Sequence, residues 1–339
     1  MSRIGVLATL IFMLFTTSVA FAEGNAVTRR AAFDIGSANI KCTIADVDTI
    51  SGAIVKTHTE IYEKVDFAED MARSYDGNFS KDIMLKGQEA LEKLKGKALK
   101  MGAKHFSAVG GSAFRDARNG RAYFATLKED TGIPCRILSK EQSTLLSYHA
   151  VRLQKNISES HLLVWDIGGG TQTMAARTQS GGLAFYIDKM ASVPFKNEII
   201  STIQGHDINL VNSPNPLSTS DIHRALEYVQ THALLNVNPE LASRLRSGTM
   251  QVIGIGGVHY YAVPELLGGR NESYTREEIK AALEEWTGKP DDAFKSEYAS
   301  TRLTNLILVL GYMNALDIDT ISPLKVNQTE GLLISPEFW

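Results

Sequence analysis

The chain has 339 residues, enough for two domains with separate cores. Hydrophobic residues make up 44% and charged residues 22%, the balance of an ordinary globular protein. The net charge of -3 excludes an overall electrostatic case for DNA or RNA binding, so a polyanion would need a local basic patch.

The first residues form a separate segment. Met1-Ser2-Arg3 is short and basic, Ile4 to Val19 is apolar and uncharged, and Ala20-Phe21-Ala22 is a small-x-small site before Glu23. This is the pattern of a secretory signal peptide over residues 1–22, cut after Ala22. An uncleaved membrane anchor is the competing reading. Cleavage predicts a periplasmic or secreted protein with no membrane insertion afterwards. Only two cysteines occur, Cys42 and Cys135. Export permits a disulfide between them.

Ala31 to Phe33, Asn39 to Val47 and Ala53 to Tyr62 read as three strands of a meander, with a turn at Asp48 to Gly52. Phe67 to Phe79 is polar and turn-rich. Ser80 is placed to cap a helix through Ile83, Leu85, Ala90, Leu91, Leu94 and Ala98. Lys93, Lys95, Lys97, Lys100 and Lys104 follow its solvated face, or form a polyanion track. Phe106 to Val109 reads as a strand ending in Gly110-Gly111-Ser112, with helix from Ala113. Pro134 to Leu138 is the last strand of a first domain spanning 26–140. Ser139, with Gln142 at the capping-box position, opens a helix over 141–155 that starts the second domain, 141–339.

His161 to Trp165 then reads as a buried strand ending at Asp166, followed by Gly168-Gly169-Gly170 and a returning strand with Thr171 and Thr173. Consecutive glycines let a backbone turn tightly and aim its N–H groups at one anion, typically phosphate. An ordinary glycine hairpin is the plain alternative. Ala31 to Asp46 has the same grammar: a strand ending in Asp34-Ile35-Gly36, a small-residue turn at Ser37, and a second strand. Asp34 and Asp166 are then equivalent residues of two related halves. Further on, Leu183 to Ile187 is a strand and Val193 to Ile203 a helix. Another helix starts at Thr219 or Ser220. Met250 to Ile255 is a strand before Gly256-Gly257, and helices cover Thr275 to Trp286 and Ser300 to Leu316.

The two Asp-Ile-Gly turns resemble those of the actin, sugar kinase and heat-shock chaperone ATPase superfamily. Val109-Gly110-Gly111-Ser112-Ala113-Phe114-Arg115-Asp116-Ala117-Arg118-Asn119-Gly120 looks like a segment specific to the exopolyphosphatase/guanosine pentaphosphate phosphatase (Ppx/GppA) family within it. Thr329-Glu330-Gly331-Leu332 resembles that family's closing helix. The resemblance implies an α/β fold of two ribonuclease H-like domains, each a mixed five-stranded sheet with helices, facing a central cleft. It separates the strands of Cys42 and Cys135 by another strand, which points to two buried thiols. It also implies hydrolysis of terminal phosphoanhydride bonds of polyphosphate or a phosphorylated nucleotide, with Mg²⁺ or Mn²⁺, and leaves a homodimer open.

Carried onto this chain, the anion-holding residues are Gly36, Ser37, Arg115, Gly168, Gly169, Gly170 and Thr171. Arg115 offers a planar fork suited to phosphate oxygens, or else pairs with Asp116. Asp34 and Asp166 are the expected metal carboxylates, or else turn-stabilising aspartates. The match stops at three places. Ala38 stands where relatives carry asparagine, and Thr173 where they carry a glutamate near the metal. Ser143 stands where they carry the glutamate that acts as base. Glu141 is the nearest carboxylate to the missing base, so Glu141 and Asp166 are the catalytic candidates. A shift along a helix of 3.6 residues per turn rotates a side chain by roughly 100° per residue. The glycine loop at Gly254-Ile255-Gly256-Gly257-Val258 also lacks the hydroxyls that relatives use toward a nucleotide. Two readings follow: a phosphoanhydride hydrolase, or an exported protein that binds or senses a phosphorylated ligand without turnover.

Overall fold

The computed structural model describes residues 27–155, 157–269 and 272–339. The expected signal peptide lies outside the described residues. β1 (Val27–Ile35), β2 (Asn39–Asp48) and β3 (Ile54–Lys64) form the antiparallel meander. α1 (Phe67–Ala72) and α2 (Lys81–Lys100) lead to β4 (His105–Gly110), which pairs with β1 in parallel. α3 (Ser112–Asp116) and α4 (Gly120–Thr131) lead to β5 (Cys135–Ile137), completing the order β3-β2-β1-β4-β5.

After α5 (Lys140–Gln154) the pattern repeats. β6 (Leu162–Ile167), β7 (Gln172–Arg177) and β8 (Leu183–Asp188) form a second meander, followed by α6 (Ser192–Glu198), α7 (Thr219–Asn236) and α8 (Pro239–Arg246). β9 (Gln251–Ile255) pairs with β6 in parallel and leads to α9 (Val263–Leu266). β10 (Tyr274–Thr275), α10 (Arg276–Trp286), α11 (Ala299–Leu316), β11 (Thr320–Pro323) and α12 (Gln328–Ile334) complete the chain. The order is β10-β11-β9-β6-β7-β8. The second sheet therefore has six strands where five were expected. The added β10 holds β11 through two residue pairs only, too short a run for alternation to reveal.

Three helix starts fall where the sequence places them. Ser80, Ser139 and Thr275 each accept a backbone N–H through their hydroxyl, and Gln142 and Glu278 return the capping-box bond. α7 begins at Thr219, one of the two expected starts, with Ser218 as its cap and Asp221 closing the box. α1 replaces part of the expected turn-rich segment. Its Phe67 ring packs 4.8 Å from Phe114 and 5.3 Å from Phe79, so aromatic packing rather than periodicity makes this helix. Lys93 and Lys97 both bind Glu63, which is what a solvated helix face does with its charges. Cys42 on β2 and Cys135 on β5 are free thiols with β1 and β4 between them, and burial pushes both up to about 12. Such thiols are poor nucleophiles.

One face of the first sheet packs Phe33, Ile35, Ile40 and Cys42 against α2 and α4. Its other face packs Ala32, Ala45 and Val109 against Leu146 of α5, Leu332 and Leu333 of α12, and Phe338. The second sheet covers one face with α7 and α11 and the other with Tyr148, Ala150 and Val151 of α5. α5 thus touches both sheets. α12 crosses it so closely that a Cβ on Gly331 would lie 2.2 Å from the Leu146 carbonyl oxygen. Gly331→Ala is expected to cost about 1–3 kcal/mol in urea unfolding, because backbone overlap outweighs the gain in helix propensity.

Beside it, Glu330 accepts from Gln154 Nε2 at 2.8 Å. Burial, with Glu60 nearby, raises its carboxyl to about 7, above the ordinary value of 4.5. An acid raised in the folded state favours folding when protonated. That contribution is complete below about pH 4.5 and is lost as pH rises through 7. Thermal midpoints are expected to fall from pH 5 to pH 8, and Glu330→Gln to flatten that slope.

Candidate functional site

The two glycine turns have the same geometry. Gly36 N–H donates to the Asn39 carbonyl at 2.9 Å, and Gly168 N–H donates to the Thr171 carbonyl at 2.9 Å. In each half a short helix backs the turn. Ala68 N–H of α1 donates to the Ser37 carbonyl at 2.8 Å, and Val193 N–H of α6 donates to the Gly169 carbonyl at 2.9 Å. A Cβ on Gly170 would lie 4.0 Å from both Ser37 Oγ and Ser112 Oγ. The turns therefore face each other across a narrow cleft, with the β4–α3 junction between them. Gly36, Ser37, Gly168, Gly169, Gly170 and Thr171 come together there.

Asp34 and Asp166 stand in equivalent registers, opposite Lys41 and Thr173 respectively. Both carboxyls are raised above the usual carboxylate range by burial. Lys41 opposes the shift in both, and the Ser147 hydroxyl, 3.2 Å from Asp166 Oδ2, opposes it in Asp166. Asp34 pushes Asp166 further up. Gly256 takes φ 83°, and a Cβ there would lie 2.4 Å from Asp166 Oδ1 and 2.6 Å from the Ile167 carbonyl oxygen. This glycine, read in the sequence as part of a nucleotide-side loop, makes room for Asp166.

Arg115 is half-buried in α3, and its Nη1 donates to the Leu138 carbonyl at 2.7 Å. One such bond leaves most of its five donors for other acceptors. Burial lowers its pKa, while Asp116 and Glu141 favour its charged form. Asp116 itself is paired with Lys189 of the second half at 2.8 Å. Asn119 of the same motif binds both backbone groups of Phe79 and is architectural.

Glu141 is exposed in the first turn of α5, where it accepts from Ser139 Oγ at 2.9 Å. Hydrogen bonds from its own backbone N–H and from Ser139 hold its carboxyl below the ordinary value. It is not brought together with Asp166. The α5 residues on the cleft side are Ser143 and Ser147. Ser143 is 9% exposed, and its hydroxyl has no hydrogen-bond partner. Sequence reading passed over Ser147 and Lys41. The spacing of Ser147 four residues after Ser143 would have indicated it, as would the alternation of β2 for Lys41.

The resemblance implies a divalent cation on Asp34 and Asp166. Among the described residues, no group of three or more His, Cys, Asp and Glu side chains is placed to hold one. Thr173 faces Asp166 across the strand pair, and an ammonium, Lys41, faces Asp34. Mg²⁺ keeps several waters and is usually held by one or two carboxylates together with substrate phosphate oxygens, so Asp34 and Asp166 are the residues that would hold it, supplying charge neutralisation for the phosphate.

Residues 43–192 match the Ppx/GppA phosphatase family. A Ppx/GppA family member from Aquifex aeolicus has a similar structure, with TM-score 0.72 and 17% identity over 91% of this chain and 97% of that one. An exopolyphosphatase from Cytophaga hutchinsonii gives 0.70 and 15% over 90% and 96%. An exopolyphosphatase-like protein gives 0.73 and 15% over 91% and 97%. No curated protein matches. The fold is the two-domain one of these structures, and residues 43–192 are similar to the Ppx/GppA phosphatase family.

Gly256→Ala is expected to lower stability by about 2 kcal/mol or more, since it adds strain at a positive φ and displaces Asp166. A thermal melt checks this, and Gly257→Ala, with no atom within 4 Å of the added Cβ, is the neutral control.

Proposed function

We propose that the cleft holds the terminal phosphate of a phosphoanhydride chain, polyphosphate or a phosphorylated nucleotide, between the turns at Gly36 and Gly168, and turns it over slowly or not at all. The turns supply N–H groups and Arg115 supplies a guanidinium, the positioning half of phosphoryl-transfer chemistry. One observation carries the second clause: the buried position on α5 one turn before Ser147 is Ser143, while Glu141 lies in solvent and accepts from the capping Ser139 hydroxyl. A serine hydroxyl does not replace a carboxylate base, and loss of a general base costs about 10² to 10⁴ in rate. We infer also that the protein works outside the cytoplasm, where the expected leader would send it. Finding Glu23 at the N-terminus of the mature protein tests this.

The competing reading is a phosphoanhydride hydrolase. In its favour, Glu141 is close enough to Arg115 for their charges to interact. The deciding experiment is phosphate release from long-chain polyphosphate and guanosine pentaphosphate, with and without Mg²⁺ or Mn²⁺. Expected are background release and a melting temperature raised by polyphosphate. Ser143→Glu is expected to raise release about 10²-fold. Release by the unaltered protein that Arg115→Ala and Glu141→Gln both abolish would overturn the binding reading in favour of a hydrolase.

A further inference from the structure

The phosphate-binding reading leaves open what the ligand carries beyond its phosphates. The first sheet shows where that part would lie. Asp34, Lys41 and Tyr62 are register partners across β1, β2 and β3, so they form one row on one face of the sheet. Strands lie about 4.8 Å apart, which puts Tyr62 about 10 Å from the aspartate. A short phosphate chain with its sugar covers such a span, and the residue at the outer end of the row is an aromatic ring.

Tyr62 has neighbours of its own kind on the facing half. Along β3, Ile61 packs into the α2 side of the sheet and Glu63 pairs with Lys93 and Lys97 of that helix. Glu60, Tyr62 and Lys64 therefore leave the other face. The outer two meet the second half: Glu60 pairs with Lys325 at 3.5 Å, and Lys64 reaches Glu297 at 4.0 Å. Tyr62 stands between these two ties. Tyr261 is the exposed residue of the helical turn Val258–Ala262 that follows Gly257, and it lies close enough to Lys325 for their charges to interact. Tyr298 stands in the same relation to Lys64 and Tyr62. The Arg302 guanidinium backs Tyr298, 5.6 Å from the ring centroid, and is itself held by Glu265 at 2.6 Å and by Ser296 Oγ at 2.8 Å. Tyr62, Tyr261 and Tyr298 are 69%, 54% and 45% exposed, so their rings border open space rather than core. The charges around them are the carboxylates Glu60, Asp66 and Glu297 and the ammoniums Lys64 and Lys325, with no surplus of positive charge. A further run of phosphates gains nothing there. A flat, uncharged ring finds faces to stack on.

We propose that Tyr62, Tyr261 and Tyr298 form a slot beside the phosphate cleft that stacks a nucleobase, so that the preferred ligand is a nucleoside carrying a phosphate chain rather than linear polyphosphate. This rests on the phosphate-binding reading above and chooses between the two ligands it allows. The Glu60–Lys325 and Lys64–Glu297 pairs bound the slot at its two ends. The glycine loop at Gly254 to Val258 offers no side-chain hydroxyl to a nucleoside, so recognition falls to the ring faces and tolerates either purine.

The test is calorimetric titration of ATP, GTP and tripolyphosphate, all in excess Mg²⁺, into the unaltered protein and three variants. Tyr62→Ala and Tyr298→Ala are each expected to weaken binding of both nucleotides about 5- to 100-fold, and to leave tripolyphosphate within about twofold. Tyr62→Phe keeps the ring and is expected to bind both nucleotides as the unaltered protein does, which separates loss of stacking from loss of fold. Ligand-free melting curves of all four proteins complete the control. Unchanged affinity for ATP and GTP in both alanine variants, or an equal loss for tripolyphosphate, would overturn the slot and leave the phosphate-binding reading standing. Absence of binding of all three ligands by the unaltered protein would overturn that reading, and the slot with it.

Discussion

Everything in the cleft depends on a single helix being shared by two sheets. α5 sends Leu146 into the core of the first sheet and Tyr148, Ala150 and Val151 into that of the second. Its first two turns place Ser143 and Ser147 under the carboxylates. The separation of the two glycine turns is therefore set by the thickness of one helix and its side chains. α12 fixes the arrangement from the far side, lying on β1 and β2 while crossing α5 at Gly331. Thr329 shares a hydrogen bond of 2.5 Å with Thr43, and Arg30 binds the Leu333 carbonyl at 2.7 Å. The end of the chain thus returns to the sheet where the chain began.

That arrangement explains which chemistry the cleft retains. Backbone turns survive changes in side chains, because their N–H directions come from register and from the helices that back them. Side-chain functions do not. At Ser143 α5 carries a buried hydroxyl, and the carboxylate two residues earlier, Glu141, is rotated away on the helix and accepts from the capping Ser139. Asp166, by contrast, is held from three sides: by its strand, by Ser147, and by the space that Gly256 leaves.

Much of this was legible in the sequence, for identifiable reasons. The duplicated Asp-Ile-Gly turns are local patterns, and their strands, caps and order follow from period and capping chemistry. Ser80, Ser139 and Thr275 are where a reader would put them. What the sequence hid depends on contacts between distant segments. α1 exists because Phe67 meets Phe114, a relation without a local period. β10 is two residues long. Gly256 reads as part of a nucleotide loop until the carboxylate beside it is seen. Lys41 sits one place after a buried isoleucine on an expected strand, and only the approach of the second sheet brings its charge to bear on Asp166 as well as Asp34. The Arg-Asp-Ala-Arg-Asn motif marks the family well, yet its asparagine serves the backbone of Phe79 rather than the cleft.

The bridge between Asp116 and Lys189 joins the two halves at 2.8 Å with both side chains well exposed. Exposed pairs of this kind contribute little to stability, about 0–1 kcal/mol. It therefore does not clamp the halves together, which the apolar packing of α5 and α12 already does. It is a tie that its two partners can leave at little cost. Because the pair is solvated, salt screens it, so this link between the halves loosens as ionic strength rises, while the buried seam along α5 and α12 does not.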